Sequence, residues 1–322
     1  MIPIQNSRQR CVLELYDHAI FFSLVCYRNN LFTSNDAEKI IEFYNGFDNR
    51  DQLIQWMKER PKGASYIHEV EGNRDIIVVI PTADFNGKYA TTCREEIFTG
   101  LHMIFVESGE NPDPYFNYAH NCNVGIKRAM EYSPKWVVVS NDDMIKIDDV
   151  SKLLKELKKL DEKEIDAVFT NEATYHSVHN KVVRRNIWEN LNQFRTSKLF
   201  GLKVNRIKRK FGVRYSIVKN RKITKILFSG IDYVDFVDFA ILSNNFVTSK
   251  NGILYDETFT NNKEDSDLSL LIMLTKSRVH AIEYRIGDLI GSSLGTGIDR
   301  SIRSLASDVY FTYKWESTLE TH

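Results

Sequence analysis

The chain has 322 residues, 43% hydrophobic and 27% charged, with 43 Lys or Arg balancing 43 Asp or Glu. That apolar content supports a sizeable core in one large α/β domain or two ordinary ones, and the balanced charge names no partner by itself. No apolar run approaches the roughly 18 to 20 residues of a membrane span, and Met1 to Arg10 lacks the basic lead and apolar run of a secretory signal, so a cytoplasmic protein is expected.

Residues 11 to 60 read as helical: Leu13, Tyr16, Ile20 and Leu24 recur at helical spacing, and Ser34-Asn35-Asp36 can cap a second helix carrying Ile40, Ile41, Phe43 and Tyr44. Residues 1–72 are thus expected to form a helical N-terminal extension. The pattern changes at Asp75, where IIVVI (76 to 80) is a β-branched run closed by Pro81, as in a strand buried on both faces. His102 to Val106, Trp136 to Val139 and Asp166 to Thr170 repeat the strand pattern, with helical stretches at Tyr118 to Tyr132 and Val150 to Leu160. Alternating strands and helices predict an α/β fold with a mostly parallel, doubly wound sheet flanked by helices. Ligands gather at the carboxyl ends of such strands, which here means Pro81 to Asn86, Glu107 to Gly109 and Asn141 to Met144.

The four cysteines, Cys11, Cys26, Cys93 and Cys122, form no CxxC pair and accompany no His cluster, which points to reduced thiols rather than a disulfide or zinc framework. Charge is unevenly spread. Fifteen Lys or Arg against one acid, Glu189, fall between Lys181 and Lys225, a basic island in an otherwise acidic chain.

WVVVSNDDM (136 to 144) sets two adjacent carboxylates just beyond a buried strand, with no basic partner nearby in sequence. A hard divalent ion bridging pyrophosphate oxygens suits them, since Mg²⁺ and Mn²⁺ take one or two carboxylates plus phosphate and water. An ordinary strand-to-helix turn with Asp142 or Asp143 as N-cap is the other reading. Further on, Glu264, Asp265 and Asp267 crowd a helix N-terminus, where backbone N–H groups favour negative charge. One of the three can act as a general base, or all three can simply cap the first turn.

Taken in order, NCNVGIKRAMEYSPKWVVVSNDD (121 to 143) and GILYDETFTNNKEDSDLSLLI (252 to 272) resemble the family 2 glycosyltransferases: Asn-x-Gly on a helix with Ala129, an apolar strand, a DxD-type metal motif, then Asp-Glu, Phe and Glu-Asp-x-Asp-Leu. The resemblance covers roughly residues 75 to 295. It implies a GT-A fold over 73–300 with a basic insertion at 181–228 and a C-terminal tail at 301–322. It implies a nucleotide diphosphate sugar donor and transfer with inversion in one in-line step, with Mg²⁺ or Mn²⁺ as cofactor. By the same resemblance Asp143 holds the metal and Asn141 stands in place of the first carboxylate. Asp265 is the base, and Pro81, Thr82, Glu107, Asn123, Asn141 and Asp142 contact the donor. Glu264, Asp267, Asp238 and Asp288 are secondary candidates; Asp288 lies where many relatives have a His. Asp235 and Asp238 belong to a stretch, 233 to 242, that fits a sugar-facing segment or an exposed face of an edge strand. The chain departs from the family at Cys122, where many members carry Arg.

The expected partners are the donor and a glycan or lipid-linked hydroxyl acceptor. The island adds an anionic membrane surface, because Ile187, Trp188, Leu191 and Phe194 share one side of a helix followed by Lys198, Lys203, Arg206 and Lys208-Arg209-Lys210. Such a chain would sit peripherally on the inner membrane face. Nucleic acid attracts the same charges and ranks below it. A nucleotidyltransferase on a similar core would show a glycine-rich basic loop after its first strand, and PTADFNGKYA offers only Gly87 and Lys88. A binding protein acting through the island alone would leave NDD and EDSD without a role.

Overall fold

The computed structural model describes residues 36–109, 115–170, 182–183, 198–212, 233–234, 239–289 and 302–320. It begins with two helices, α1 (Ala37–Asn45) and α2 (Arg50–Glu59), each opened by a short polar N-cap: Asp36 accepts from the Glu38 amide and Asn49 from the Gln52 amide. The expected cap at 34 to 36 and the apolar side at Ile40, Ile41, Phe43 and Tyr44 are both present, all four side chains being buried. Residues 11 to 35 of the expected helical stretch lie outside the described residues. Within 1–72, however, Ser65–Val70 form a strand, β1, not a helix. Ser-Tyr-Ile-His-Glu-Val is too short and too rich in aromatic and β-branched residues for a helical period, and it half-buries itself along a sheet edge.

The strands then follow as β2 (Asn73–Thr82), β3 (Leu101–Ser108), β4 (Trp136–Ser140), β5 (Met144–Lys146), β6 (Ala167–Thr170), β7 (Val182–Val183), β8 (Tyr233–Val234), β9 (Phe239–Ser243), β10 (Val279–Ile282) and β11 (Ile286–Asp288). Seven of them form one sheet in the order β1-β3-β2-β4-β9-β6-β10. β3–β2, β2–β4 and β6–β10 pair in parallel, while β1–β3, β4–β9 and β9–β6 are antiparallel. The sheet is therefore mixed rather than mostly parallel. A fully buried strand reads as the same apolar run whichever way it points, so direction is not written in it. For the same reason β9 is not an edge strand but an internal one, buried at all five positions. Asp235 and Asp238, just before it, lie outside the described residues.

Period-2 alternation divides the sheet into two cores. Ile76, Val78 and Ile80 of β2 face one layer with Met103, Phe105 and Val138, beneath α3 (Lys88–Thr92), the π-helical turn Cys93–Ile97 and α5 (Val150–Leu157). Ile77 and Val79 face the other with Ile104, Val106 and Val139, beneath α4 (Tyr118–Met130), α7 (Asn244–Ser249) and α8 (Glu264–Leu274). A third cluster joins α1 and α2 to α6 (Lys198–Lys210) and α9 (Leu305–Glu320), through Tyr44, Phe47, Leu53, Val204, Ile207, Leu305 and Phe311 among others. α8 links these layers, with Leu268 and Ile272 against the sheet and Leu270 in the helical cluster.

Two expectations, on the C-terminal tail and on the basic island, change accordingly. The residues read as a tail form a sixteen-residue helix buried against α1 and α2. The basic island is described only in part, and there some of its cations are used internally: Lys203 pairs with Glu38 at 2.6 Å, and Lys208 is fully buried 3.9 Å from Asp308. Its apolar residues Ile187, Trp188, Leu191 and Phe194 lie outside the described residues. Among the described residues no helix is long and apolar enough to cross a membrane.

Candidate functional site

β2 and β4 run side by side and end together, so Pro81 and Thr82 emerge beside Ser140 and the Asn141-Asp142-Asp143 turn. Thr82 Oγ1 donates to Asp142 Oδ2 at 2.7 Å, and the buried Cys93 thiol donates to the Asp142 carbonyl at 3.2 Å. Burial pushes the Asp142 carboxyl up to about 6, and the neighbouring Asp143 charge adds to it against the Thr82 hydrogen bond. Asp143 itself is buried. Neither aspartate caps a helix, since the turn runs straight into β5 and the next helix, α5, is capped by Asp149.

β5 pairs antiparallel with β11, which sets Asp288 opposite Met144 and lets the Leu289 amide donate to the Asp143 carbonyl at 2.8 Å. Asp288 is buried as well. The register is held by Asp148, whose carboxylate takes Arg285 Nη2 at 2.9 Å, Lys152 Nζ at 2.9 Å and the Arg285 amide at 2.8 Å. The Arg285 hydrogen bond, helped by Lys152, holds the Asp148 carboxyl well below the usual carboxylate range. Asp142, Asp143 and Asp288 thus share one strand end but do not converge on one point as a ready-made triad; the described residues that do, Glu69, Glu71 and His102, lie toward the opposite end of β2 and β3.

From α4, Tyr118 Oη donates to Asn141 Oδ1 at 2.8 Å, while the Tyr118 amide donates to Asn261 Oδ1 at 2.8 Å. Asn261 lies three residues before Glu264, so Tyr118 joins the NDD turn to the start of α8. The Asn-x-Gly of this helix has a packing explanation. Asn123 Nδ2 donates to the Tyr255 carbonyl and to Glu257 Oε1, and its Oδ1 accepts from the Leu254 and Tyr255 amides. Its amide is thus spent on holding the 254–257 loop. At Gly125 a Cβ would come within 2.3 Å of Val79 Cγ1 and 2.9 Å of Val106 Cγ2, so only glycine lets α4 lie this close to the sheet. Burial pushes the Cys122 thiol well up, with the Glu264 charge adding to it.

The acidic start of α8 divides by role. Asp267 is buried and accepts from Trp315 Nε1 at 2.9 Å and Lys314 Nζ at 2.8 Å. Burial raises its carboxyl, an effect that Lys314 partly offsets. Lys314 also reaches Asp256 Oδ2 at 2.7 Å, so one α9 lysine ties the Asp-Glu loop to the Glu-Asp-x-Asp turn. Glu264 is buried. Asp265 is half-buried, and among the described residues its carboxylate accepts only from the Ser266 amide, at 2.7 Å.

At the end of β3, Glu107 accepts from the Phe85 amide at 3.1 Å and meets His68 Nε2 at 2.7 Å. The Phe85 ring stacks on His68 at 4.4 Å with planes 6° apart, and the Arg94 guanidinium lies 4.8 Å from its centroid. Asp84 is exposed and turns back on the Asn86 amide, as a strand-end acid does.

Thr82, Asn141, Asp142, Asp143 and Asp288 are therefore gathered at one strand end, with Tyr118 carrying the connection to Glu264 and Asp265. Glu107 lies on the neighbouring strand β3, directly opposite Thr82; Asn123 and Asp267 are committed to internal ties, and Asp238 lies outside the described residues. Tyr118, His68, Phe85 and Arg94 are additions that the sequence did not signal, because each acts through a contact across the sheet rather than through a spaced motif. The chain matches no protein-family model and no curated protein sequence.

Proposed function

We propose that the chain is a glycosyltransferase of the family 2, GT-A kind, moving a sugar from a nucleotide diphosphate donor to a hydroxyl acceptor with inversion. The observation that carries this reading is the gathering of Asp142, Asp143 and Asp288 at the ends of β2 and β4, with Tyr118 joining that turn to the acidic start of α8. The resemblance read from the sequence assigns these two places to donor and base.

The residues fit a hard divalent cation. The two adjacent carboxylates sit together at the strand end, Asp142 being pushed up by burial and by the Asp143 charge, and an all-oxygen set suits Mg²⁺ or Mn²⁺ completed by phosphate and water. When bound, the ion would offset the charge that develops on the departing diphosphate. Asp143 would hold it, Thr82 fixes the Asp142 carboxylate, and Asn141, oriented by Tyr118, would hydrogen-bond sugar or ribose. Glu107 would read the nucleoside beside the His68–Phe85 stack. Asp265 takes the acceptor proton as the hydroxyl attacks, since it is the acid of its cluster least committed to internal ties. No covalent glycosyl intermediate is required. The acceptor is a glycan or a lipid-linked hydroxyl, and the undescribed part of the basic island is the segment proposed to meet an anionic membrane surface.

A panel of UDP-, GDP- and dTDP-sugars read out as free nucleoside diphosphate tests the reading. Slow Mn²⁺-dependent hydrolysis of one donor is expected. Absence of turnover across the panel, with and without simple sugar acceptors, would count against it.

A further inference from the structure

The residues that gather most tightly are remote from this site and unused by it. Glu69 lies on β1, His102 at the start of β3, and Glu71 in the turn between β1 and β2. The His102 side chain is fully buried, between both carboxylates. Its Nε2 lies 3.1 Å from Glu69 Oε2. Glu69 also accepts from Arg128 Nε at 2.6 Å and from Tyr132 Oη at 2.7 Å. A carboxyl group that already accepts from Arg128 and Tyr132 accepts from His102 as well, which makes Nε2 the donor and Nδ1 the acceptor of the neutral imidazole.

That Nδ1 atom is buried and has no hydrogen-bond partner. It faces Glu71 Oε2 at 3.5 Å, two acceptors across a gap with no proton between them when the imidazole is neutral. Two ligands on a tetrahedral ion with bonds of about 2.0 to 2.1 Å lie about 3.3 to 3.4 Å apart, which is close to this separation. Glu69 on Nε2 completes the carboxylate–histidine–metal arrangement in which an outer carboxylate fixes the tautomer and makes the other nitrogen more basic. Glu71 is largely exposed and otherwise held by Arg74 Nη2, at 3.1 Å to Oε1 and 2.9 Å to Oε2, a surface pair that an ion can displace at small cost.

We propose that His102 Nδ1 and Glu71 form a second metal site, for a borderline transition ion such as Zn²⁺, with water completing the shell and Glu69 as the positioning residue. The site pins the β1–β2 turn to β3 at the end of the sheet away from the diphosphate site. An imidazole nitrogen in the ligand set favours Zn²⁺ over the Mg²⁺ or Mn²⁺ assigned to Asp143. With two protein ligands its affinity is modest.

The two sites are separated by working in an Asp143→Asn background. Calorimetry of that full-length protein with Zn²⁺ is expected to show one site, and Co²⁺ in its place should give the visible absorption of a tetrahedral nitrogen–oxygen centre. Glu71→Gln, at an exposed position that leaves the fold intact, should weaken Zn²⁺ at least about tenfold and remove the Co²⁺ band, and His102→Gln should do the same. Unchanged Zn²⁺ affinity in Glu71→Gln, or no Zn²⁺ binding in the parent, overturns the assignment.

Discussion

Asp142 and Asp265 each predict a different experiment. The Asp142 carboxyl stands at about 6 in the folded protein, above its ordinary value of 3.8. A carboxyl raised on folding contributes stability that is full below about pH 4 and is lost as pH rises through about 6. In the metal-free protein Asp142→Asn should therefore stabilise at pH 7.5 by about 1 to 3 kcal/mol, with little effect at pH 4. Urea melts in EDTA at the two pH values decide it, and a variant less stable at pH 7.5 contradicts the assignment. Asp265 is tested by turnover instead. Asp265→Asn should keep donor affinity while transfer falls by roughly a hundredfold or more; near-normal transfer would move the base to Glu264. Asp267 is a poor alternative, because Lys314 and Trp315 already occupy its carboxylate.

At the level of elements, the site depends on how closely α4 approaches the sheet. Gly125→Ala would drive a methyl into Val79 and Val106 and should cost about 1 to 3 kcal/mol, read as a lower melting temperature. Because α4 carries Tyr118, the same variant should also weaken donor binding; one that melts normally would show that the helix has room to give. Strand and helix positions on this side were legible from the sequence: IIVVI announced β2, WVVVS announced β4, and the capped stretch at 36 announced α1. The strands' directions were not, since buried strands carry no mark of orientation, nor was β1, a half-buried edge strand without a strict alternation. Within the site, the NDD and EDSD clusters were visible as adjacent carboxylates. The sorting of EDSD into tied and untied acids was not, because it depends on Lys314 and Trp315, roughly fifty residues away in a segment read as tail.

Across the whole molecule, the first two described helices and the last one share a core with Phe259 and Leu270, which brace the loop and helix that carry the acidic cluster. α9 contributes Leu305, Ala306, Val309, Tyr310, Phe311 and Trp315 to that core, and Ile302 just before it, and Tyr44 Oη donates to the Ile302 carbonyl at 2.6 Å. Removing residues 302–322 should abolish cooperative unfolding, as followed by near-ultraviolet circular dichroism in urea. A truncated chain that still melts in one sharp transition would mean that the sheet and its site stand without the helical cluster. What the fold serves, in this account, is a cation held against a diphosphate at the end of β4. The direct measurement is calorimetry of UDP, GDP and dTDP with Mn²⁺, with EDTA, and with Asp143→Ala. The account predicts that one nucleotide binds in Mn²⁺ and that binding is lost in EDTA and in the variant; equal affinity under all three conditions would contradict it.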